Sequence, residues 1–115
     1  MLDQSKPVYQ RLRDVIASAI LDGSFQDGDM LPSVRALAAA EGANPLTVAK
    51  AYQTFQDEGL ILVKRGVGMF VAAGATDRLR TLMRNDFLAN VWPPVAEQIR
   101  RFGLDARTLI DTADA

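Results

Sequence analysis

The stretch LPSVRALAAAEGANPLTVAKAY, residues 31–52, predicts two short helices separated by a very short turn. Ser33 is a good N-cap because its hydroxyl can accept a hydrogen bond from a backbone N–H that the helix leaves unpaired, and the alanine-rich run after it favours a helix. Gly42 ends that helix. Asn44 and Pro45 begin the next one, since proline is tolerated at the first helical position, where the N–H has no partner. Two helices joined by a short glycine-containing turn are typical of a helix-turn-helix.

The segments on either side of this pair extend it to a winged helix-turn-helix domain. Apolar residues at helical spacing predict a further helix upstream, residues 8–21. Downstream, two β-prone runs, residues 60–64 and 68–72, flank a tight turn at residues 65–67 and predict a β-hairpin. A hairpin directly after the second helix is in the position of a wing. The predicted domain therefore covers residues 1–72.

Residues 73–115 predict a short helical tail. We expect a helix over about residues 76–91, a break at residues 92–94, where tryptophan is followed by two prolines, and a second helix over 95–102. So short a tail cannot bury a core of its own, and we expect its apolar side chains to form a homodimer interface. Packing against the same chain is the alternative. The residues expected at this interface are Leu79, Leu82, Met83, Phe87, Trp92 and Phe102.

The predicted fold class is thus mostly α with a small β-hairpin, a winged helix-turn-helix followed by a short helical dimerisation region. The chain has 115 residues, with 13 Lys and Arg against 14 Asp and Glu, and contains neither Cys nor His. This removes disulfides, Cys/His zinc sites and histidine catalysis. The acidic pairs Asp27/Asp29 and Asp57/Glu58 occupy turn and helix-end positions where solvated acids are common. We therefore expect no enzyme, no cofactor and no metal site.

The sequence also bears on location and on the kind of DNA contact to expect. It has neither a signal-peptide pattern at its start nor an apolar run of about 18 residues, so we expect a cytoplasmic protein without a membrane partner. The net charge is −1, which argues against polyanion binding over the whole surface. Any interaction with nucleic acid must therefore depend on a few well-placed residues.

The second helix of the pair carries several of these candidates. In a helix-turn-helix, its first turns enter the major groove. Asn44 and Thr47 can hydrogen-bond to a phosphate or a base edge, and Lys50 can reach guanine acceptors or a phosphate. Leu46 can contact a thymine methyl group. The alternative for each residue alone is an ordinary solvated helix face. The opposite, buried face is predicted to consist of Val48, Ala51, Tyr52 and Phe55.

Two other places offer cations to DNA. Arg35 lies in the first turn of its helix, where the helix dipole favours anions and disfavours a cation. A cation at this position therefore suggests an anionic partner such as a DNA phosphate. Ser33 adds to the same anion site. The alternative is a salt bridge from Arg35 to Glu41 or Asp29.

The hairpin tip offers the second group of cations. Lys64 and Arg65 suit a phosphate backbone or a narrow minor groove, and Gly66 and Gly68 permit a close backbone approach. The alternative is a plain hairpin with solvated charges. The complete set of candidate DNA-binding residues is Ser33, Arg35, Asn44, Pro45, Leu46, Thr47, Lys50, Lys64, Arg65, Gly66 and Gly68.

In order and spacing, these motifs resemble the winged-helix domain of GntR-type bacterial transcription regulators. The short tail is similar to that of the YtrA-type subfamily, in which it mediates dimerisation. The resemblance implies a homodimeric transcription regulator, for which we expect a repressor, with recognition helices in adjacent major grooves of a pseudo-palindromic operator. The segments that carry it are PVYQ (7–10), LPSVRALA (31–38), NPLTVAKAY (44–52), EGLI (58–61) and RGVGMFV (65–71).

The resemblance also implies roles for single residues. Arg35 matches the family's DNA-contacting arginine and Thr47 its recognition-helix threonine. Lys50 falls where this subfamily commonly has a basic residue, and the wing glycines match as well. Pro45 and Leu46 depart from the family pattern, since other subfamilies have a base-reading arginine at the first position and often a polar residue at the second. These departures leave the operator sequence open.

Two other functions stay open beside DNA binding. The first is a winged-helix protein–protein interaction module without DNA binding, which the near-neutral charge and the apolar Leu46 favour. The second is a sensor for an unidentified small-molecule effector, bound between the tail and the winged domain.

Overall fold

The computed structural model describes residues 7–113. It contains α1 (Val8–Leu21), α2 (Val34–Glu41), α3 (Pro45–Asp57), β1 (Ile61–Lys64), β2 (Gly68–Val71), α4 (Ala75–Asp86), a π-helical turn (Phe87–Val91), α5 (Trp92–Arg101) and α6 (Ala106–Thr112). The fold-class prediction is therefore confirmed. The chain divides into two compact units between Arg80 and Thr81. The outer ends of the two predicted domains, and most of the N-terminal segment used to argue against a signal peptide, lie outside the described residues.

The helix-turn-helix forms as its capping residues predict. The Ser33 Oγ accepts a hydrogen bond from the Ala36 N–H at 3.1 Å and so begins α2. Gly42 ends α2 in the left-handed conformation, with φ of 61°, which glycine adopts without a steric penalty. Asn44 Oδ1 then accepts from the Leu46 N–H at 2.8 Å and begins α3. The turn is short because the residues that end one helix and cap the next are almost adjacent.

The core of the first unit lies between α1, α2, α3 and the hairpin. The buried stripe predicted for α3 is correct: Val48, Ala51 and Phe55 are fully buried and Tyr52 is 2 % exposed. The Tyr52 hydroxyl donates to the Pro32 carbonyl at 2.8 Å, so its polar end is satisfied. Burial raises the pKa of Tyr52 to about 12.

The predicted hairpin is present. β1 and β2 pair in antiparallel register, from Ile61 opposite Val71 to Lys64 opposite Gly68. Both residues at the inner end, Ile61 and Val71, are buried, whereas the tip between Lys64 and Gly68 extends into solvent. The hairpin is therefore anchored to the core at one end only, as a wing requires.

A further segment, residues 28–31, lies alongside β2. Met30 forms an isolated antiparallel bridge with Phe70, and the Leu31 N–H donates to the Met69 carbonyl at 2.8 Å. The sequence predicts only a turn-rich connection over residues 23–29 and no strand pairing here. The pairing was not predicted because the partner strand lies about 40 residues away and no local sequence pattern reports it.

The first turn of α4 belongs to the first unit. Ala75 is fully buried and Leu79 is 4 % exposed, both within the core of this unit. The Asp27 carboxylate accepts from the Gly74 N–H at 2.8 Å, the Thr76 N–H at 3.1 Å and the Thr76 Oγ1 at 2.8 Å. These hydrogen bonds hold the pKa of Asp27 below its ordinary value. Leu79 thus packs inside the first unit, and we remove it from the expected dimer interface.

The second unit corrects one expectation about the tail. Residues 92–94 do not break the helical path: the π-helical turn leads directly into α5, which begins at Trp92. The Trp92 N–H donates to the Phe87 carbonyl across the wide turn. Pro93 and Pro94 then occupy the first positions of α5, where a missing N–H is tolerated. The wide turn therefore accommodates the prolines without a loop.

The second unit has no core of its own among the described residues. Between residues 81 and 113 no side chain is buried, although several are large and apolar. None of the helices between residues 7 and 113 combines the length and apolar character that crossing a membrane requires. The exposed apolar side chains include Leu82, Met83, Phe87, Leu88, Val91, Trp92, Val95, Phe102, Leu104, Leu109 and Ile110.

Candidate nucleic-acid interface

The outer face of α3 is set by the burial of its inner face. Because Val48 and Tyr52 pack into the core, the helix turns Leu46 and Lys50 to solvent and leaves Thr47 half-buried. Leu46 is 81 % exposed, so it contributes little to the packing of the domain. An exposed leucine beside an exposed lysine in the first two turns of this helix offers one apolar and one charged contact to the same ligand.

Lys50 is held by an aromatic ring. Its ammonium lies 4.8 Å from the centroid of the Tyr9 ring, which belongs to the first turn of α1. None of the ion pairs between described residues includes Lys50. The ammonium therefore lies against a neutral ring, and no carboxylate among the described residues pairs with it.

Arg35 is the second residue of α2 and is exposed. The expected alternative, a salt bridge to Glu41 or Asp29, does not form between these residues in the structure, and Asp29 instead accepts from the Gln26 N–H at 2.8 Å. The Ser33 hydroxyl accepts from the backbone of α2 and keeps its own proton to donate. The start of α2 thus presents a guanidinium and a hydroxyl beside the positive end of the helix dipole, a combination that attracts anions.

The wing carries Lys64 and Arg65, both exposed. The Lys64 ammonium lies 4.6 Å from the centroid of the Phe70 ring on the opposite strand. No ion pair between described residues includes either cation. The two charges on the wing are therefore available to an anionic partner.

Both wing glycines have a structural reason to be glycine. Gly66 has φ of 78° and Gly68 has φ of 153°, conformations that other residues rarely adopt. The Val67 N–H donates to the Lys64 carbonyl at 2.9 Å and closes the turn. The glycines thus permit the tight tip that exposes the two cations.

Hydrogen bonds made by residues 28–33 link these three groups. Residues 28–31 run beside β2 of the wing, Pro32 accepts from the Tyr52 hydroxyl of α3, and Ser33 caps α2. One short stretch of chain is therefore bonded in turn to the wing, the recognition helix and the helix that carries Arg35. All the candidate DNA-binding residues lie in the first unit, and none of them is buried.

Two other arginines contact the C-terminal end of α3, and no local sequence pattern predicted these contacts. Arg78 donates to the carbonyls of Glu58 at 2.8 Å and Gly59 at 3.3 Å, where a cation complements the helix dipole. Arg13 pairs with Glu58 at 3.1 Å and lies 4.6 Å from the centroid of the Phe55 ring. These cations stabilise the helix end, so we do not assign them to DNA.

Comparison with known proteins agrees with this geometry. Residues 4–71 match the family model described as bacterial regulatory proteins, gntR family. The HTH-type transcriptional repressor YtrA of Bacillus subtilis is 40 % identical over 75 residues, which are 65 % of this chain and 58 % of that protein. The chain thus spans less than two thirds of this relative.

Solved structures extend the similarity over nearly the whole chain. A GntR family transcriptional regulator from Listeria monocytogenes has a TM-score of 0.76 and 25 % identity, covering 98 % of this chain and 97 % of that one. The AraR DNA-binding domain in complex with operator ORX1 has a TM-score of 0.57 and 28 % identity, covering 62 % and 87 %. Since the family model covers more than half of the sequence, this protein belongs to the GntR family of bacterial regulatory proteins.

Proposed function

We propose that this protein is a sequence-specific DNA-binding transcription regulator, and specifically a repressor. The observation that carries the proposal is the outer face of α3, where Leu46 and Lys50 are exposed and the lysine has no acidic partner among the described residues. Two findings on related proteins support it: YtrA is a transcriptional repressor, and the AraR domain of similar fold is in complex with an operator.

We assign the contacts to three groups. Lys50 and Thr47 read base edges in the major groove, with Asn44 and Pro45 at the helix start close to the phosphate backbone. Arg35 and Ser33 bind a phosphate. The wing cations Lys64 and Arg65 bind a phosphate or the minor groove, at a tip that Gly66 and Gly68 shape. The near-neutral net charge fits this assignment, because affinity then comes from a few placed cations.

We assign Leu46 to the recognition of a base through an apolar contact. Its side chain is 81 % exposed, so it brings an apolar surface that nothing in the domain covers. The apolar group displayed in the major groove is the thymine C5-methyl. Lys50 lies one turn further along the same face, about 6 Å away along the helix axis. We therefore expect a thymine near a guanine in each half-site.

The second unit supplies the homodimer in this proposal. None of its side chains between residues 81 and 113 is buried, and a second copy would cover the apolar ones. Two-fold symmetry then presents two recognition helices to half-sites about 34 Å apart. The interface that we propose consists of Leu82, Met83, Phe87, Trp92 and Phe102. We propose that DNA binding lies in the domain predicted for residues 1–72, and that dimerisation lies in the part of the predicted tail, residues 73–115, that belongs to the second unit.

The proposal includes a cytoplasmic place of action, where a bacterial regulator meets its operator, and no catalytic activity. The competing function is a protein–protein interaction module that does not bind DNA. Leu46 also fits that function, since an exposed apolar side chain can contact protein as readily as a thymine.

Selection of DNA sequences by the full chain tests the proposal. Duplexes with a randomised central region are enriched over several rounds, and the affinity for the winning sequence is measured by fluorescence anisotropy at several salt concentrations. We expect a pseudo-palindromic winner and an affinity that falls steeply with salt, because each neutralised phosphate releases counterions. A pool that yields no common sequence, or an affinity insensitive to salt, would overturn the proposal in favour of the protein–protein module.

A further inference from the structure

The lysines assigned to DNA differ from the structural arginine that also lies over an aromatic ring. Lys50 lies over Tyr9 and Lys64 over Phe70, at 4.8 Å and 4.6 Å, and no ion pair between described residues includes either of them. Arg13, which lies over Phe55 at 4.6 Å, also pairs with Glu58. The structural cation, Arg13, thus has both a ring and a carboxylate as partners. The two outward-facing lysines have a ring but no carboxylate partner among the described residues.

The distinction matters because the two kinds of partner affect the charge differently. A carboxylate holds an ammonium and also cancels its charge, which would weaken attraction to DNA. An aromatic ring attracts the ammonium through its quadrupole while remaining neutral. Tyr9 therefore restricts the position of Lys50 and leaves its full charge available to an anion.

Tyr9 is well placed to fix that position. It lies in the first turn of α1, is half-buried and packs against the core cluster, so the ring itself has little freedom. Lysine has a flexible four-carbon stem whose ordering opposes binding. A ring that already orders the stem in the free protein removes part of this entropic cost.

We propose that Tyr9 is a positioning residue for base recognition: its ring pre-orders the Lys50 side chain over the major-groove face of α3. This inference rests on the proposed function, because it assigns Lys50 to the operator. Nothing in the sequence indicated it, since Tyr9 lies 41 positions before Lys50 in another helix. In this role Tyr9 contributes to operator affinity through Lys50 and not through a contact of its own.

Four variants of the full chain test the proposal on the selected operator duplex: Tyr9→Phe, Tyr9→Leu, Lys50→Met and the double variant Tyr9→Leu/Lys50→Met. We expect Tyr9→Phe to bind like the wild type, because it keeps the ring. Tyr9→Leu should bind about two- to five-fold more weakly, the range for an exposed cation–π contact. In the Lys50→Met background, Tyr9→Leu should cause no further loss.

A fluorinated series keeps the test decisive if Tyr9→Leu fails to fold. Phenylalanine with one, two and three ring fluorines at position 9 keeps nearly the same shape while the negative face of the ring weakens stepwise. We expect operator affinity to fall in step with fluorination when Lys50 is present, and to stay constant in the Lys50→Met protein. A packing role for the ring would give no such dependence on fluorination.

Several outcomes would overturn the inference. An equal loss in Tyr9→Phe and Tyr9→Leu would assign the effect to the hydroxyl. An equal loss with and without Lys50 would assign it to packing, and tighter binding by Tyr9→Leu would mean that the ring holds Lys50 away from DNA. If the wild type selects no operator, the proposed function itself fails; if the wild type binds and every variant binds equally well, only the role of Tyr9 fails.

Discussion

The two units of this chain use apolar side chains in opposite ways. The first unit buries Tyr52, Phe55, Ile20, Leu60 and Ile61 to 2 % exposure or less, whereas the second unit leaves every described side chain at least partly exposed. Aromatic residues occur in both, so composition does not explain the difference. The first unit surrounds its aromatics with three helices and a hairpin, and the second has too few elements to surround anything. Exposed apolar patches of this kind commonly mark interaction surfaces, which is why we place the proposed dimer interface in the second unit.

The strongest test of this difference replaces one phenylalanine in the first unit. Phe55 is fully buried, so Phe55→Ala should lower the free energy of unfolding by about 3–5 kcal/mol through lost burial and a new cavity. Urea unfolding followed by circular dichroism measures it. Phe102→Ala, at a side chain that is 65 % exposed, is the control, measured at a concentration low enough to dissociate any dimer. Equal losses in both variants would contradict the contrast between the units.

The next largest effect concerns self-association. Trp92 stacks on Phe87, with ring centroids 6.5 Å apart, and remains 38 % exposed. If a second copy covers this pair, Trp92→Ser should weaken the dimer by about 2 kcal/mol or more, as buried interface tryptophans typically do. Sedimentation equilibrium measures the dissociation constant. A wild-type protein that stays monomeric at every concentration would refute the proposed interface.

Cations in the two units should differ in their effect on operator binding. Arg35→Ala removes the guanidinium at the start of α2 and should weaken binding by about 1–3 kcal/mol without unfolding the protein. Arg107→Ala removes an exposed arginine from α6 and serves as the matched control, with no loss expected. Anisotropy titrations on the selected operator measure both. Equal affinity in Arg35→Ala and the wild type would show that α2 does not contact DNA.

Exposed leucines allow a finer comparison. Leu46 in the first unit and Leu82 in the second are both exposed, and we assign the first to a thymine methyl and the second to the partner copy. Replacing the contacted thymine by uracil removes one methyl group and should cost the wild type about 0.8 kcal/mol. Leu46→Ala should bind both operators alike, whereas Leu82→Ala should still prefer thymine. Indifference of the wild type to uracil at every thymine would refute the assignment.

The smallest effect concerns the start of α4. Hydrogen bonds from Thr76 and Gly74 hold the pKa of Asp27 below its ordinary value, so the carboxylate stabilises the folded state above about pH 4. This contribution is lost as the pH falls through the lowered pKa. We expect Asp27→Asn to be less stable than the wild type at neutral pH, and the difference to shrink below pH 4. Thermal unfolding across this range measures it, with Asp111→Asn as the matched control.

The sequence predicted the parts of the fold whose signals are local. Ser33 and Asn44 act on backbone groups two or three residues away, so their caps are visible in the sequence alone. The pairing of residues 28–31 with β2, the capping of α3 by Arg78 and the burial of Leu79 all depend on partners 19 or more positions away or on tertiary packing. Helical periodicity alone could not show that Leu79 packs in the core of the first unit. Likewise, the two prolines after Trp92 predicted a break in the helix. This prediction was wrong because the π-helical turn that accommodates them was not recognised in the sequence.

The same locality explains what was missed at the candidate interface. The residues assigned to DNA were identified because they occur in motifs of fixed order and spacing. Tyr9 lies in the PVYQ segment of the same resemblance, but its relation to Lys50 was not identified, since it exists only after α1 packs against α3. The contacts that order a recognition surface are therefore harder to predict than the surface itself.

Residues 28–33, which contact the wing and lead into α2, affect how the wing can move. Residues 28–31 are bonded to β2 by backbone groups, and Ser33 caps α2 only two residues later. A sideways shift of the wing would strain these hydrogen bonds beside the first turn of α2, so we expect them to constrain the spacing between the two. If α2 and the wing both contact DNA as proposed, a duplex whose grooves do not match this spacing has to bend, and the stiffness of the DNA then contributes to the selectivity that we propose.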